Sequence, residues 1–206
     1  FQQNPEFYRD RTVLVKKLRM LPYEFIVRGY LFGNMWEAYR QGKAFCGRRL
    51  SGPYQQAEQL AERIVTPSKK AAAGHDEYIS IEQLKDEIGE ELTQKICALS
   101  LELYHRCYQH AKTRGILIAD TKFEFGFAPS GELTLGDEIF TPDSSRFWDA
   151  ACYKVGESPK SYDKQFVRDW LIQNGLNGKE PAPALPDEVI SKTAQIYREC
   201  LSKIVG

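Results

Sequence analysis

The sequence lacks the cysteine pattern of a disulfide-rich or zinc-binding protein. Its 206 residues contain five cysteines, an odd number, and no two of them stand at the CxxC or similar spacing of metal ligands. This argues against a disulfide framework and against structural zinc as the basis of the fold. We therefore expect a reducing, cytoplasmic compartment.

Net charge and long apolar runs are also missing. Lys plus Arg number 28 and Asp plus Glu also number 28, so no overall field holds the protein on nucleic acid or on an anionic membrane. No apolar run approaches the roughly 20 residues that cross a bilayer, and no charged-then-apolar secretory leader opens the chain. We expect a soluble protein without nucleic-acid or membrane partners, in which any anion site is local.

What is present is the composition of an ordinary globular protein, with strands predicted first. A hydrophobic fraction of 42% is enough for one sizeable core. Strands are predicted at 12–20 and 23–32, separated by Leu21-Pro22, and a short helix at 34–40. Residues 42–74 are dense in Gly, Pro, Ser and Lys, and are predicted to form a long surface loop.

Helical signals follow in the middle of the chain. Ser80 and Gln83 have the spacing of a capping box, which predicts the start of a short helix. A longer helix is predicted over 90–113 and ends at Gly115. Its apolar residues recur at three- and four-residue steps and predict a buried stripe of Leu92, Ile96, Leu99, Leu103 and Cys107.

The last third predicts a hairpin and two more helices. Strands at 116–127 and 132–141 flank Pro129-Ser130-Gly131, and helices follow at 162–173 and 187–204. This order favours an α+β fold with an antiparallel sheet flanked by helices. Residues 175–206 are expected to form a C-terminal helical segment packed on the rest.

The hairpin contains the first candidate site. If Ser130-Gly131 is a two-residue turn, Glu124 faces Asp137, and alternation places Asp120, Lys122 and Glu124 on one face. Two opposed carboxylates repel each other unless a cation lies between them, and Mg²⁺ meets that need. A solvated strand face with alternating charges explains the pattern equally well. A three- or four-residue turn would break this register.

Two other segments have the composition of anion sites. Residues 141–148 place hydroxyls at a predicted helix start with Ser145 and Arg146 beside them, although an ordinary helix cap with a solvated arginine has the same composition. Arg28 lies within an apolar strand and precedes Gly33-Asn34 at another helix start. The alternative there is an edge-strand arginine that points to water.

Two polar clusters are less informative. His75-Asp76-Glu77 could form a proton shuttle or a metal cluster, but a histidine in a polar loop is more often a surface residue. Lys69-Lys70 is interpreted as a solvated charge pair.

Taken together, these residues resemble the SAICAR synthetase family over nearly the whole chain. Two signatures carry the resemblance, LPYEFIVRGY at 21–30 with Gly33, and LIADTKFEFG at 117–126. The segments GHDE at 74–77, TPDSSRFW at 141–148 and YKVGES at 153–158 are also similar to that family and occur in the same order.

The resemblance implies an ATP-dependent ligase of purine biosynthesis that joins L-aspartate to carboxyaminoimidazole ribonucleotide and releases SAICAR, ADP and phosphate. It implies a SAICAR synthetase-like fold, related to ATP-grasp and kinase-like architectures. Mg²⁺ would be held by Glu124 and Asp137, with Lys122 and Asp120 as catalytic residues. The implied substrate-binding residues are Arg28, Gly33, Asn34, Asp76, Ser145, Arg146, Lys164 and Arg168.

The sequence also departs from that family. Asn34 stands where the family has a phosphate-binding serine, and residues 1–206 match only its central and C-terminal region. We therefore expect a β-rich N-terminal lobe that covers ATP to be absent here. A kinase-like phosphotransferase and a catalytically silent ribonucleotide-binding module are the alternatives. The sequence does not predict the oligomeric state.

Overall fold

The computed structural model describes residues 4–9, 12–72, 74 and 76–206. Within these residues the chain forms six helices and seven strands. In chain order they are α1 (Pro5–Tyr8), β1 (Arg19–Met20), β2 (Tyr23–Tyr30), α2 (Gly33–Arg40), β3 (Gln59–Lys69), β4 (Glu77–Tyr78), α3 (Ile81–Ile88), α4 (Glu90–Thr113), β5 (Ile116–Phe127), β6 (Leu133–Gly136), β7 (Ser145–Asp149), α5 (Gln165–Gln173) and α6 (Asp187–Val205).

The strands form one seven-stranded sheet around the long strand β5. The N-terminal part of β5 pairs with β2 and β7, and its C-terminal part pairs with β1 and β6. Strand β2 continues the sheet to β3, and β3 pairs with β4. Every pairing among the described strands is antiparallel, so the predicted α+β class with an antiparallel sheet is confirmed.

Helix α4 covers one face of this sheet through buried tyrosines. Tyr104 is fully buried, and its hydroxyl donates to the Ile118 carbonyl oxygen at 2.5 Å. Gly29 in β2 makes this contact possible, because a Cβ atom there would overlap the Tyr104 hydroxyl. The predicted bounds of α4 are confirmed, but its stripe is rotated: Leu99 is 39% exposed while Tyr104 and Tyr108 are buried.

Two predictions for the first third were wrong. Of 12–20 only Arg19–Met20 is a strand, and Leu14 is fully exposed because its segment pairs with no described strand. The predicted surface loop at 42–74 contains β3, an eleven-residue strand between β2 and β4. Its polar residues Thr66 and Ser68 are buried in the sheet, where cross-strand pairing outweighs their loop-like composition.

The other elements are close to their predicted positions. Helices α2, α3 and α6 are confirmed, and α3 begins with the expected Ser80–Gln83 capping box. Strand β6 is shorter than predicted, and α5 begins at Gln165. Helix α6 buries Cys200 in the main core, with Ile196 packed beside it. No helix in the described part of the chain has the length and apolar character needed to cross a membrane.

Candidate functional site

A cavity of about 730 Å³ lies on the face of the sheet that carries Asp120. Its walls come from β2, α2, β5, β7 and the start of α5. Nine of the twelve predicted site residues line it, and these are Arg28, Gly33, Asn34, Asp120, Lys122, Ser145, Arg146, Lys164 and Arg168. The fold therefore brings together the two signatures at 21–33 and 117–126, which are distant in the sequence.

The first feature of the cavity is a carboxylate between two arginines. Asp120 on β5 pairs with Arg28 on β2 and with Arg146 on β7. Its Oδ2 atom lies 3.4 Å from Arg28 Nη1 and 2.5 Å from Arg146 Nη1. Arg146 Nε is buried and has no hydrogen-bond partner in the described part of the chain. The two guanidinium groups share this carboxylate and Arg146 keeps an unpaired donor, so this end of the cavity suits an anion, and the buried Asp163 carboxylate offsets part of the positive charge.

Arg28 is not the edge-strand arginine that the alternative interpretation proposed. Strand β2 lies between β5 and β3, and Arg28 is only 2% exposed. Its Nε donates to Thr66 Oγ1 at 2.9 Å, and its guanidinium lies 5.1 Å from the centre of the Phe45 ring. A buried arginine needs such partners, which hold its remaining donors toward the cavity.

Gly33 and Asn34 form the wall beside the arginines. Gly33 has φ +60°, and a Cβ atom there would lie 2.8 Å from Arg146 Nη2, so glycine is required both by the backbone and by the close arginine. Asn34 Nδ2 donates to the Tyr78 hydroxyl at 3.1 Å.

The predicted helix start at 141–148 was wrong. Residues Ser145–Asp149 form β7, because pairing with β5 provides backbone hydrogen bonds for Phe147 and Trp148 and buries both rings. Ser145 is buried, and its hydroxyl shares a 2.8 Å hydrogen bond with that of Thr121. Arg146 reaches the cavity from a strand and not from a helix terminus.

The register predicted for the hairpin was also wrong. Ala128 N–H donates to the Glu132 carbonyl, which leaves a three-residue turn, and Glu124 pairs with Gly136. Asp137 follows β6 with φ +58°, a left-handed conformation that redirects its side chain relative to strand alternation. A turn one residue longer than assumed accounts for the shift.

The two carboxylates nevertheless meet at one cation. Lys122 Nζ lies 2.8 Å from Glu124 Oε1, 2.5 Å from Asp137 Oδ2 and 3.7 Å from Glu24 Oε1. Lys70, interpreted from the sequence as solvated, lies with Nζ 2.6 Å from Glu124 Oε2. Three carboxylates and two ammonium groups therefore form a network beside the arginine end.

The charges in this network are mutually dependent. Burial alone would lower the pKa of Lys122, but its hydrogen bonds to Asp137 and Glu124 outweigh burial and raise it, so the ammonium form is held. Burial raises the pKa of Glu24, and the nearby Lys122 charge opposes this. Lys122 is thus a fixed positive charge within the cavity.

The chemistry of Glu124 and Asp137 fits Mg²⁺. The described residues contain no group of three or more metal-ligating side chains. Magnesium, however, is usually held by one or two carboxylates together with substrate phosphates and water. Glu124 and Asp137 offer oxygen donors on either side of one cation position, now taken by Lys122 Nζ.

The remaining predicted residues are distributed around this centre. Lys164 Nζ pairs with Asp143 Oδ1 at 2.7 Å at the cavity wall, and Arg168 lies one helical turn further along α5. Asp76 accepts from the Ala71 N–H at 3.0 Å and does not line the cavity. His75 lies outside the described residues, so its predicted shuttle or metal role stays a prediction.

Several cavity residues were missed by sequence reasoning. Glu24, Tyr78 and Asp163 line the cavity, and Thr66 supports Arg28 from β3. Alternation could have found Glu24, which stands two and four residues before Ile26 and Arg28 on one strand face. Tyr78 and Thr66 carry no such signal, because their approach depends on the position of β3 and β4.

The α+β sheet carries a charged cavity in which two arginines share one carboxylate beside a lysine ammonium group. A sequence model of the SAICAR synthetase family matches residues 2–185, and the chain belongs to this family. The family and fold implied by the two sequence signatures are therefore confirmed.

Named relatives and solved structures agree with this family. The chain is 54% identical over 193 residues to a phosphoribosylaminoimidazole-succinocarboxamide synthase of Neisseria meningitidis serogroup C, covering 93% of the chain and 67% of the relative. A SAICAR synthase structure from Saccharomyces cerevisiae, described as complexed with SAICAR, is 43% identical with a TM-score of 0.84, covering 95% of this chain and 64% of that one. A SAICAR synthetase structure described as in complex with ADP is 27% identical with a TM-score of 0.67, covering 92% and 65%. The chain thus spans about two thirds of the length of these proteins.

Proposed function

We propose that the protein joins L-aspartate to the carboxylate of carboxyaminoimidazole ribonucleotide, with cleavage of ATP, to form SAICAR, ADP and phosphate. The observation that carries this is the single cavity that combines the two-arginine anion site at Asp120 with the Lys122 carboxylate network. The SAICAR and ADP complexes of similar proteins support both halves of the assignment. A cytoplasmic location is part of the proposal.

The arginine end binds the ribonucleotide. Arg28 and Arg146 provide guanidinium donors for its 5′-phosphate, and Asp120 holds the two arginines in position. Gly33 allows the backbone to approach Arg146 closely, and Asn34 lies on the same wall. Ser145 supports this end by its hydrogen bond to Thr121.

Lys122 stabilises negative charge during the reaction. A carboxylate oxygen of the ribonucleotide attacks the γ-phosphorus of ATP and ADP leaves; the aspartate amine then attacks the acyl phosphate, loses a proton and expels phosphate. Negative charge develops on the transferred phosphoryl group and on the acyl oxygen, and the Lys122 ammonium lies where it can stabilise both. Magnesium held by Glu124 and Asp137 would share these carboxylates with the Lys122 ammonium and would neutralise phosphate charge beside it.

Aspartate is the least constrained substrate. Lys164 and Arg168 offer positive charge on the α5 wall of the cavity. We assign Lys164 and Arg168 to the binding of the aspartate carboxylates. Asp76 is assigned to substrate binding at the outer edge of the site, where it accepts the hydrogen bond of the Ala71 N–H.

The test is ADP release measured with and without carboxyaminoimidazole ribonucleotide and L-aspartate. It is carried out on this chain and on a longer form that spans the full length of the relatives. Aspartate-dependent ADP release by the longer form is the expected result. ADP release that does not depend on aspartate would indicate a kinase-like phosphotransferase. Binding of the ribonucleotide without any ADP release would indicate a catalytically silent binding module.

A further inference from the structure

Tyr78 lies on the cavity wall at its arginine end and is held from two sides. Its hydroxyl accepts the hydrogen bond of Asn34 Nδ2 at 3.1 Å. Its ring packs on the Phe45 ring, with 4.5 Å between centroids, and the Arg28 guanidinium lies 5.9 Å from the Tyr78 ring. The position of the hydroxyl is therefore set by α2, by the loop that carries Phe45 and by β2.

The direction of the Asn34 hydrogen bond leaves the Tyr78 proton unused. An amide NH₂ group only donates, so the hydroxyl oxygen is the acceptor and its own proton remains for a second partner. Within the part of the chain that the structure describes, the hydroxyl makes no hydrogen bond besides the one from Asn34. Tyr78 is 36% exposed and lines the cavity, so that proton is available to a molecule bound there.

The charged residues at the arginine end of the cavity indicate which kind of acceptor the Tyr78 hydroxyl donates to. Arg28 and Arg146 share the Asp120 carboxylate, and Arg146 Nε has no partner among the described residues, so these guanidinium donors favour an anion at the end of the cavity that Tyr78 lines. Phosphate oxygens accept several hydrogen bonds at once, from neutral as well as charged donors.

We propose that Tyr78 is a phosphate-binding residue of this site, and that Asn34 acts by holding the Tyr78 hydroxyl and not by touching the phosphate. This assignment rests on the proposed function, because it takes the bound anion to be the 5′-phosphate of the ribonucleotide. In this proposal Asn34 positions another residue, whereas a serine at the same place would contact the phosphate directly through its hydroxyl.

The test compares Tyr78→Phe with the unchanged protein in calorimetric titrations with carboxyaminoimidazole ribonucleotide and with the corresponding ribonucleoside, which lacks the phosphate. Phenylalanine keeps the ring contact with Phe45, and the melting temperature checks the fold. The dissociation constant for the ribonucleotide should rise about tenfold or more, as expected for a hydrogen bond to a charged group, while that for the ribonucleoside should not change. Tyr39→Phe is the matched control, because the Tyr39 hydroxyl contacts Gly52 and Tyr54 outside the cavity.

Asn34→Ala, alone and combined with Tyr78→Phe, tests the positioning role. Asn34→Ala should weaken ribonucleotide binding in the unchanged background and have little further effect in the Tyr78→Phe background, since interacting residues are non-additive. Equal losses in both backgrounds would mean that Asn34 contacts the phosphate directly, and this overturns the proposal. It is also overturned if Tyr78→Phe leaves ribonucleotide binding unchanged or weakens both ligands alike. If the unchanged protein itself does not prefer ribonucleotide to ribonucleoside, the proposed function fails at the arginine site, and the Tyr78 assignment fails with it.

Discussion

At the scale of single residues, charge in the cavity is set by shared partners. Asp120 binds two arginines and Lys122 binds two carboxylates. Loss of one member therefore leaves the charge of its partner less well compensated, and this costs most where the partner is buried, as Asp120 is. The consequences are expected in catalysis before they appear in folding, because Arg28, Asp120, Lys122 and Arg146 line a cavity and do not fill the core.

Replacing Lys122 by glutamine should lower kcat of the ligase reaction by about a hundredfold or more, since a positioned charge that stabilises a transition state contributes on this scale. KM for the ribonucleotide should change much less, because its phosphate is assigned to Arg28 and Arg146. Steady-state kinetics with ADP detection measures both. Lys154→Gln serves as the control, because Lys154 is 70% exposed and pairs with Glu157 on the surface. A Lys122→Gln variant with nearly unchanged kcat would remove Lys122 from the mechanism.

At the scale of elements, the β5–β6 hairpin determines where the two proposed metal donors, Glu124 and Asp137, lie. A three-residue turn pairs Glu124 with Gly136, and the left-handed Asp137 then brings its carboxylate back to Lys122. The functional pair thus depends on turn length and on one backbone conformation, and not on direct opposition of the two acidic residues.

Glu124→Gln and Asp137→Asn should each raise the Mg²⁺ concentration needed for half-maximal activity by about tenfold or more, because each removes an anionic oxygen donor. Magnesium titration of ADP release measures this, and a titration of Mg²⁺-ATP binding gives a second readout. Glu132→Gln, at the exposed end of the same hairpin, should leave both unchanged. Ordinary Mg²⁺ dependence in either variant at position 124 or 137 would refute the metal assignment.

At the scale of the whole molecule, contacts of the buried Tyr162 connect the last helix, α6, to the sheet. The fully buried Tyr162 donates its hydroxyl to Asp149 Oδ2 at 2.6 Å, at the end of β7. Lys203 of α6 lies 5.7 Å from the Tyr162 ring, so sheet, connecting segment and last helix meet at one place.

This contact should make stability depend on pH in the acidic range. The Tyr162 hydrogen bond lowers the pKa of Asp149 below its ordinary value, although burial opposes it. A lowered carboxyl pKa contributes stability above the unfolded value, about pH 3.9, and that contribution is lost as pH falls through the folded pKa. Asp149→Asn should therefore lower the free energy of unfolding by about 1–2 kcal/mol at pH 7, with the difference shrinking below about pH 4.

Urea unfolding at pH 7 and pH 3 measures this difference. Asp86→Asn on the exposed face of α3 is the matched control and should show no such pH-dependent loss. A deficit for Asp149→Asn that is equally large at pH 3 would show that the charge of Asp149 is not its cause.

The sequence alone determined the features that arise from neighbouring residues. The capping box at Ser80, the bounds of α4 and the strand β5 were predicted. These features depend on contacts between residues i and i+3 or i+4 and on side-chain alternation, which can be read from short segments of sequence. The signatures around Arg28 and Lys122, together with the other segments that resemble the family, likewise identified nine of the residues that line the cavity.

Only the tertiary structure decided which distant segments pair. It placed β3 inside the sheet, turned 145–149 into a strand, shifted Glu124 opposite Gly136 and brought Lys70 to Glu124. Cross-strand register depends on turn length, and burial depends on partners far away in the chain, so neither is encoded by local periodicity. The chemistry of the site was present in the sequence, but its geometry came from the pairing of β5 with four other strands.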